Sequence, residues 1–144
     1  MHSAIPNGEL TSHLNVPALR ILLADDFEQW RVEIRRIVES RSEWEIVSEA
    51  CNGQEALEQA QNLRPDVLLL DIGMPVMNGL EAGRRIRQSC PGSLIIFVTQ
   101  NSDNGVMEAA LEIAAGYVLK ENVARELVPT VASCCTAMRR IARI

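Results

Sequence analysis

Aromatic side chains are scarce in this sequence: Phe, Trp and Tyr together make up 3% of its 144 residues. Aliphatic side chains, Ala and Met must therefore fill the core, and a hydrophobic content of 47% supplies them. Basic residues are outnumbered, with 14 Lys and Arg against 19 Asp and Glu, and they form no stripe. The net charge of −5 argues against a segment that binds nucleic acid through phosphates. These totals suit one globular domain.

Long apolar runs and paired cysteines are also absent. No stretch approaches the roughly 20 apolar residues of a membrane span, and residues 1–17 lack the apolar segment of a signal peptide. The cysteines show neither a CxxC pair nor a nearby His, which predicts reduced thiols in a cytoplasmic protein. They are Cys51, Cys90, Cys134 and Cys135. We predict a flexible arm over residues 1–17 and one folded domain over residues 18–144.

Short apolar runs recur five times and predict five β-strands. The predicted strands are Arg20–Ala24, Trp44–Glu49, Asp66–Leu70, Leu94–Val98 and Tyr117–Leu119. The first, third and fourth are almost continuously apolar, which is typical of parallel strands covered on both faces. The second alternates between apolar and polar residues, and this pattern favours a position at the edge of the sheet.

Helical periodicity fills the intervals between these strands and follows the last one. The predicted helices are Phe27–Ser40, Asn52–Leu63, Asn78–Ser89, Asp103–Ala115 and Val123–Ile144. Asn78 is suited to cap the third helix, and Gly116 to end the fourth as its C′ residue. Five strands alternating with five helices predict an α/β fold of the flavodoxin-like (βα)5 type. We expect a doubly wound parallel sheet with strand order 2-1-3-4-5.

Polar residues stand where four of the five predicted strands end. Asp25 and Asp26 follow the first strand, Asp71 ends the third, Thr99 the fourth and Lys120 the fifth. The second strand carries no such group. In the predicted order, the ends of strands 1 and 3 are neighbours at the point where the winding reverses, so the three acids converge there.

Three crowded carboxylates repel one another unless a cation joins them. Mg²⁺ is a hard divalent cation that prefers oxygen ligands. An ammonium and a hydroxyl beside such a site make a pocket for a dianionic phosphoryl group, which Asp71 is placed to attack. The pattern therefore predicts a magnesium-dependent aspartyl-phosphate.

Four sequence blocks resemble those of response-regulator receiver domains, in the same order and at similar spacing. They are ILLADDF (Ile21–Phe27), DVLLLDIGMPVMNG (Asp66–Gly79), IIFVTQ (Ile95–Gln100) and GYVLK (Gly116–Lys120). The match extends over about residues 18–142, almost the whole predicted domain. One block alone is weak evidence, whereas the four together are highly specific.

The resemblance implies a role for each acid. Asp71 is the phosphoacceptor and lends an oxygen to Mg²⁺. Asp26 binds the metal directly, Asp25 acts mainly through a metal-bound water, and the backbone carbonyl of Gly73 supplies a further ligand. The domain then catalyses its own phosphorylation and dephosphorylation, and it is not an enzyme that acts on a separate substrate.

The resemblance also implies a conformational switch. Lys120 pairs with the phosphoryl group, Thr99 moves toward it, and Tyr117 swings inward behind Thr99. This shift remodels the surface formed by helix 4, strand 5 and helix 5. The implied partners are a histidine kinase, an output domain or target, and a second copy of the chain on phosphorylation.

Three residues depart from the common receiver pattern. Gln100 follows the switch threonine where Ala or Gly is usual, and it is expected to gate access to the pocket. Gly73 offers no side chain. Glu121 replaces a frequent proline, so no cis-proline bond is expected. An acidic residue there resembles receivers that carry a helix-turn-helix DNA-binding output, which makes transcription regulation the expected output.

Several alternatives remain open from the residues themselves. Haloacid-dehalogenase-like phosphotransferases also use an Asp nucleophile with Mg²⁺, but they need a second Asp two residues later, where this chain has Gly73. A pseudo-receiver would only bind partners. Tyr117 is alternatively a packed aromatic that does not swing, and Gln100 alternatively points to solvent.

Overall fold

The structure, a computed structural model, describes residues 17–143 of the chain. The predicted N-terminal arm, residues 1–17, lies outside the described residues except for Pro17, and so does Ile144. No helix within the described range is both long enough and apolar enough to cross a membrane.

A single parallel sheet of five strands forms the centre of the domain. Its strands are β1 (Leu19–Ala24), β2 (Trp44–Ala50), β3 (Val67–Leu70), β4 (Leu94–Thr99) and β5 (Gly116–Leu119). They are arranged in the order β2-β1-β3-β4-β5, and all four neighbouring pairs are parallel. The predicted flavodoxin-like topology is therefore confirmed, with β2 at an edge.

Within residues 17–143, five α-helices connect or follow the strands. They are α1 (Glu28–Glu39), α2 (Gly53–Leu63), α3 (Gly79–Ser89), α4 (Asn104–Leu111) and α5 (Val123–Arg143), with a short 3-10 turn at Lys120–Asn122. The residues before α2, α3 and α4 are Asn52, Asn78 and Asp103, and each side chain accepts a hydrogen bond from a backbone N–H in the first turn. These caps satisfy donors that have no partner inside the helix.

The predicted end of α4 is wrong. The helix ends at Leu111 and not at Ala115, and Gly116 is the first residue of β5 and not a helix cap. The reason is a contact with the sheet, because the N–H of Ala115 donates to the carbonyl of Ile95 at 2.8 Å. Gly116 is required there for another reason: a Cβ would lie 2.9 Å from Thr130 Cγ2 on α5.

Two apolar layers cover the two faces of the sheet. Successive residues of β1 point to opposite faces, so Leu22 packs in the layer that includes residues of α2 and α3, and Ile21 packs in the layer that includes residues of α1 and α5. Every residue of β3 is fully buried, as are Ile96 and Phe97 on β4. Burial on both faces explains why these strands read as continuous apolar runs.

The loop after β3 is held against the N-terminus of α3. Gly79 donates its N–H to the carbonyl of Ile72 at 2.7 Å, and a Cβ on Gly79 would overlap the backbone carbonyl of Asp71. Within this loop Val76 has a φ of 69°, and Met77 donates to the carbonyl of Pro75 at 2.7 Å. A branched residue at positive φ is strained, so the surrounding contacts must fix the loop.

We predict that Gly79→Ala destabilises the protein by about 1–3 kcal/mol, because the added methyl group must displace backbone beside Asp71. Gly92→Ala is the matched control: no atom lies within 4 Å of its built Cβ, so it should change stability by less than about 0.5 kcal/mol. Urea unfolding followed by circular dichroism measures both. Equal urea midpoints for the two variants would show that the loop after β3 accommodates the added methyl group at little cost.

Candidate functional site

Three acids meet where β1 and β3 end. Ala24 and Leu70 are paired in the sheet, so the residues that follow them are neighbours. The N–H of Asp71 donates to the carbonyl of Ala24 at 3.0 Å, and this bond fixes the position of Asp71 relative to the end of β1. One carboxylate oxygen from each of Asp25, Asp26 and Asp71 lies within 4.8 Å of the others. The sheet topology thus brings the three predicted acids together.

Two of the three acids are almost completely buried. Asp25 is 1% exposed and Asp71 is 6% exposed. Burial raises the pKa of Asp25, because a charged carboxylate loses its hydration. Two contacts lower this pKa: the ion pair with Lys120, and a hydrogen bond that the Phe27 N–H donates to Asp25 Oδ1 at 2.9 Å. The negative charge of Asp71 raises it further.

Lys120 is the cation inside this cluster. It lies in the 3-10 turn directly after β5 and is 3% exposed. Its Nζ is 2.7 Å from Asp25 Oδ2 and 3.3 Å from Asp71 Oδ2. The indole of Trp30 lies on the same ammonium, with its ring centroid 5.0 Å from Nζ. This ammonium contacts two of the three clustered carboxylates, so acidic charge remains in excess.

The unsatisfied oxygens of the cluster fit a divalent cation. Within residues 17–143, Asp26 Oδ1 is buried without a hydrogen-bond partner. Asp25 Oδ2 is buried as well and contacts Lys120 without accepting a well-directed hydrogen bond. Buried carboxylate oxygens without donors are costly, and a hard cation is the ligand that such oxygens prefer. Gly73 lies nearby in sequence on the exposed loop after Asp71, with no atom within 4 Å of a built Cβ.

The two predicted switch residues share a contact. Thr99 ends β4, is 2% exposed, and accepts a hydrogen bond from the Asn101 N–H at 3.2 Å. Tyr117 lies opposite Phe97 in the sheet and donates its hydroxyl to the Asn101 carbonyl at 2.6 Å. Burial raises the pKa of Tyr117, and the charges of Asp103 and Asp71 add to this effect. Asn101 therefore connects Thr99 at the end of β4 with Tyr117 on β5.

Sequence reasoning missed an ion-pair network on β2. Glu49, one residue before the end of that strand, pairs with Arg31 Nε at 3.2 Å and with Arg35 Nε at 2.6 Å. Arg35 chiefly lowers the pKa of Glu49. Arg31 also donates from Nη1 to the backbone carbonyl of Asp25 at 2.8 Å. The second strand thus does carry a polar group linked to the site: Glu49 holds Arg31 on α1, and Arg31 holds the backbone carbonyl of Asp25. The i, i+4 spacing of the two arginines was the available signal.

Gln100 is exposed, which is compatible both with gating and with a side chain that points to solvent. It lines a shallow cleft of about 260 Å³ together with Phe27, Gln29 and Trp30. Phe27, which directly follows the acid pair, is 54% exposed. The peptide bond before Glu121 is trans, as are the other peptide bonds of the described chain.

Comparison with known proteins places the chain in a family. The model of the response regulator receiver domain matches residues 21–132. The transcriptional regulatory protein LnrK of Bacillus subtilis is 37% identical over 114 residues, which cover 78% of this chain and 52% of LnrK. A protein-glutamate methylesterase/protein-glutamine glutaminase of Methanosarcina acetivorans is 41% identical over 99 residues, 67% of this chain and 28% of the relative.

A solved structure agrees with these matches. A two-component response regulator of the LuxR family from Aurantimonas superposes with a TM-score of 0.79 at 31% identity, covering 83% of this chain and 86% of that one. This chain spans about half of LnrK and less than a third of the methylesterase. The matched residues contain all three acids, Thr99 and Lys120. The chain belongs to the response-regulator receiver domain family.

Proposed function

We propose that this domain is a signalling switch that accepts a phosphoryl group on Asp71. The observation that carries the proposal is the cluster of three carboxylates with one buried ammonium against two of them, where sheet topology brings together residues from three separate strand ends. A structural ion pair would need one acid for one lysine. The excess of acidic charge indicates a site built for a cation and for a group that the cation stabilises.

In the proposed reaction an oxygen of Asp71 attacks the phosphorus of the donor. The bond between phosphorus and the donor atom breaks, and the leaving group departs with the bonding electron pair. Hydrolysis returns the domain to its unphosphorylated form. Water attacks phosphorus, the bond between phosphorus and the Asp71 oxygen breaks, and inorganic phosphate leaves, which restores the Asp71 carboxylate. Lys120 already lies 3.3 Å from Asp71 Oδ2, so a short movement would bring its ammonium onto a phosphoryl oxygen.

Asp25, Asp26, Asp71 and the backbone carbonyl of Gly73 would hold Mg²⁺ in this proposal. The bound ion would supply neutralisation of charge on the phosphoryl oxygens. The chain's own contribution is orientation. Arg31 and the Phe27 N–H fix Asp25, the Ala24 carbonyl fixes Asp71, and the Gly79 N–H at the N-terminus of α3 fixes the carbonyl of Ile72, which follows Asp71.

The proposed output passes through β4 and β5. Thr99 would hydrogen-bond the phosphoryl group, and Tyr117 would exchange its present contact with Asn101 as it moves inward. The surface of α4, β5 and α5 would change and dock an output domain, a target or a second copy of the chain. A histidine kinase in the cytoplasm is the proposed donor. LnrK is named as a transcriptional regulator and the methylesterase relative as an enzyme, so related domains serve different outputs.

Asp71→Asn should abolish phosphorylation, because an amide cannot serve as the attacking carboxylate. We expect the wild-type protein to gain one phosphoryl group on incubation with acetyl phosphate and Mg²⁺, and the variant to gain none. Intact-mass spectrometry measures both. Asp66→Asn is a suitable control, since Asp66 lies at the other end of β3, where it accepts a hydrogen bond from the Arg20 N–H. A variant that is still modified at the wild-type rate would place the phosphoacceptor elsewhere.

Gln100→Ala should speed both phosphorylation by acetyl phosphate and autodephosphorylation several-fold, which corresponds to about 1 kcal/mol of barrier. The reason is that the long amide side chain lines the cleft beside the site and narrows the approach of donor and water. Mg²⁺ affinity should hardly change. Stopped-flow fluorescence and phosphate release measure the two rates. Identical rates in the variant and the wild type would show that the Gln100 side chain points to solvent and does not gate the site.

A further inference from the structure

The Lys120 ammonium has three neighbours, and they differ in kind. Two are carboxylates, Asp25 at 2.7 Å and Asp71 at 3.3 Å, and the third is the face of the Trp30 indole at 5.0 Å. The ammonium is almost completely buried, so these neighbours replace much of its hydration. An aromatic face attracts a cation through its quadrupole, and the attraction grows when water is excluded.

The two carboxylates have other tasks in the proposed function, on which this inference rests. Asp25 is a proposed metal ligand and Asp71 the phosphoacceptor, so each would give up part of its interaction with Lys120. Among these three neighbours, the indole alone has no competing task. It can therefore hold the ammonium while the lysine changes its carboxylate partner for a phosphoryl oxygen.

Trp30 also separates the lysine from open space. It lies in the first turn of α1 and lines the shallow cleft with Phe27, Gln29 and Gln100. Without the indole, the flexible side chain of Lys120 would gain a route toward this cleft and toward solvent. We propose that Trp30 is a positioning residue: its indole holds the Lys120 ammonium beside Asp71 by a cation–π contact during phosphoryl transfer.

The test compares two substitutions of the same residue. Trp30→Phe keeps an aromatic face, whereas Trp30→Leu keeps only apolar bulk. Phosphorylation of Asp71 by acetyl phosphate should slow about three- to tenfold in the Leu variant and less than about twofold in the Phe variant. Mg²⁺ affinity should stay within about twofold in both, because the indole offers no metal ligand. Urea unfolding of both variants checks that a common loss of stability does not explain the difference.

The chain contains a matched control. Its other tryptophan, Trp44, has Arg41 over its ring at 5.3 Å, and it begins β2 at the opposite end of the sheet from the acids. Trp44→Leu removes the same kind of contact and should leave the phosphorylation rate unchanged. Equal rates for Trp30→Leu and wild type, or an equal loss in the Leu and Phe variants, would overturn the proposal.

A second measurement needs neither donor nor metal. In a Trp44→Phe background, Trp30 is the sole tryptophan of the chain. Addition of Lys120→Met should change its emission intensity, since a charge at the ring face is lost. Unchanged emission would contradict the contact itself. If the wild type is never phosphorylated, the proposed function fails, and this fluorescence comparison still decides whether Trp30 holds Lys120.

Discussion

Repulsion among three carboxylates governs the architecture at the carboxyl ends of β1 and β3. One carboxylate oxygen from each of Asp25, Asp26 and Asp71 lies within 4.8 Å of the others, two of these residues are buried, and the Lys120 ammonium contacts Asp25 and Asp71. Such a cluster costs free energy, which favourable contributions from the rest of the fold must offset. The strands and loops that carry these residues must therefore hold them rigidly. The negative charge that Lys120 does not neutralise is then available to bind a cation.

The stiffness has identifiable sources. The central strands are apolar on both faces, and the backbone after β3 is held by hydrogen bonds to β1 and α3. Gly79 allows α3 to approach the Asp71 backbone closely, and the network from Glu49 through Arg31 holds the carbonyl of Asp25. Half-buried ion pairs of this kind add little to global stability, but they fix the orientation of the side chains that form them. Lys120 and Trp30 then set the position of the positive charge.

The sequence predicted the topology and the residues at the strand ends because both follow from local patterns. Continuous apolar runs identify strands covered on two faces, and the acids are visible directly after them. The features that sequence analysis missed arise from tertiary contacts. α4 ends early because Ala115 bonds to β4, and Glu49 looked like an ordinary edge-strand acid until α1 was in place. Helical periodicity places Trp30 on α1 but does not show that the Lys120 ammonium, from the turn after β5, lies over its ring.

The uncompensated acidic charge can be tested by a Mg²⁺ titration of the wild-type protein, followed by tryptophan emission. We expect one site of roughly millimolar affinity or tighter, because Asp26 retains a buried carboxylate oxygen without a donor beside two further carboxylates. Asp26→Asn should weaken binding by about tenfold or more, since loss of one charged ligand costs about 1.5–3 kcal/mol. No response of the wild type at tens of millimolar Mg²⁺, or equal affinity in the variant, would contradict the account.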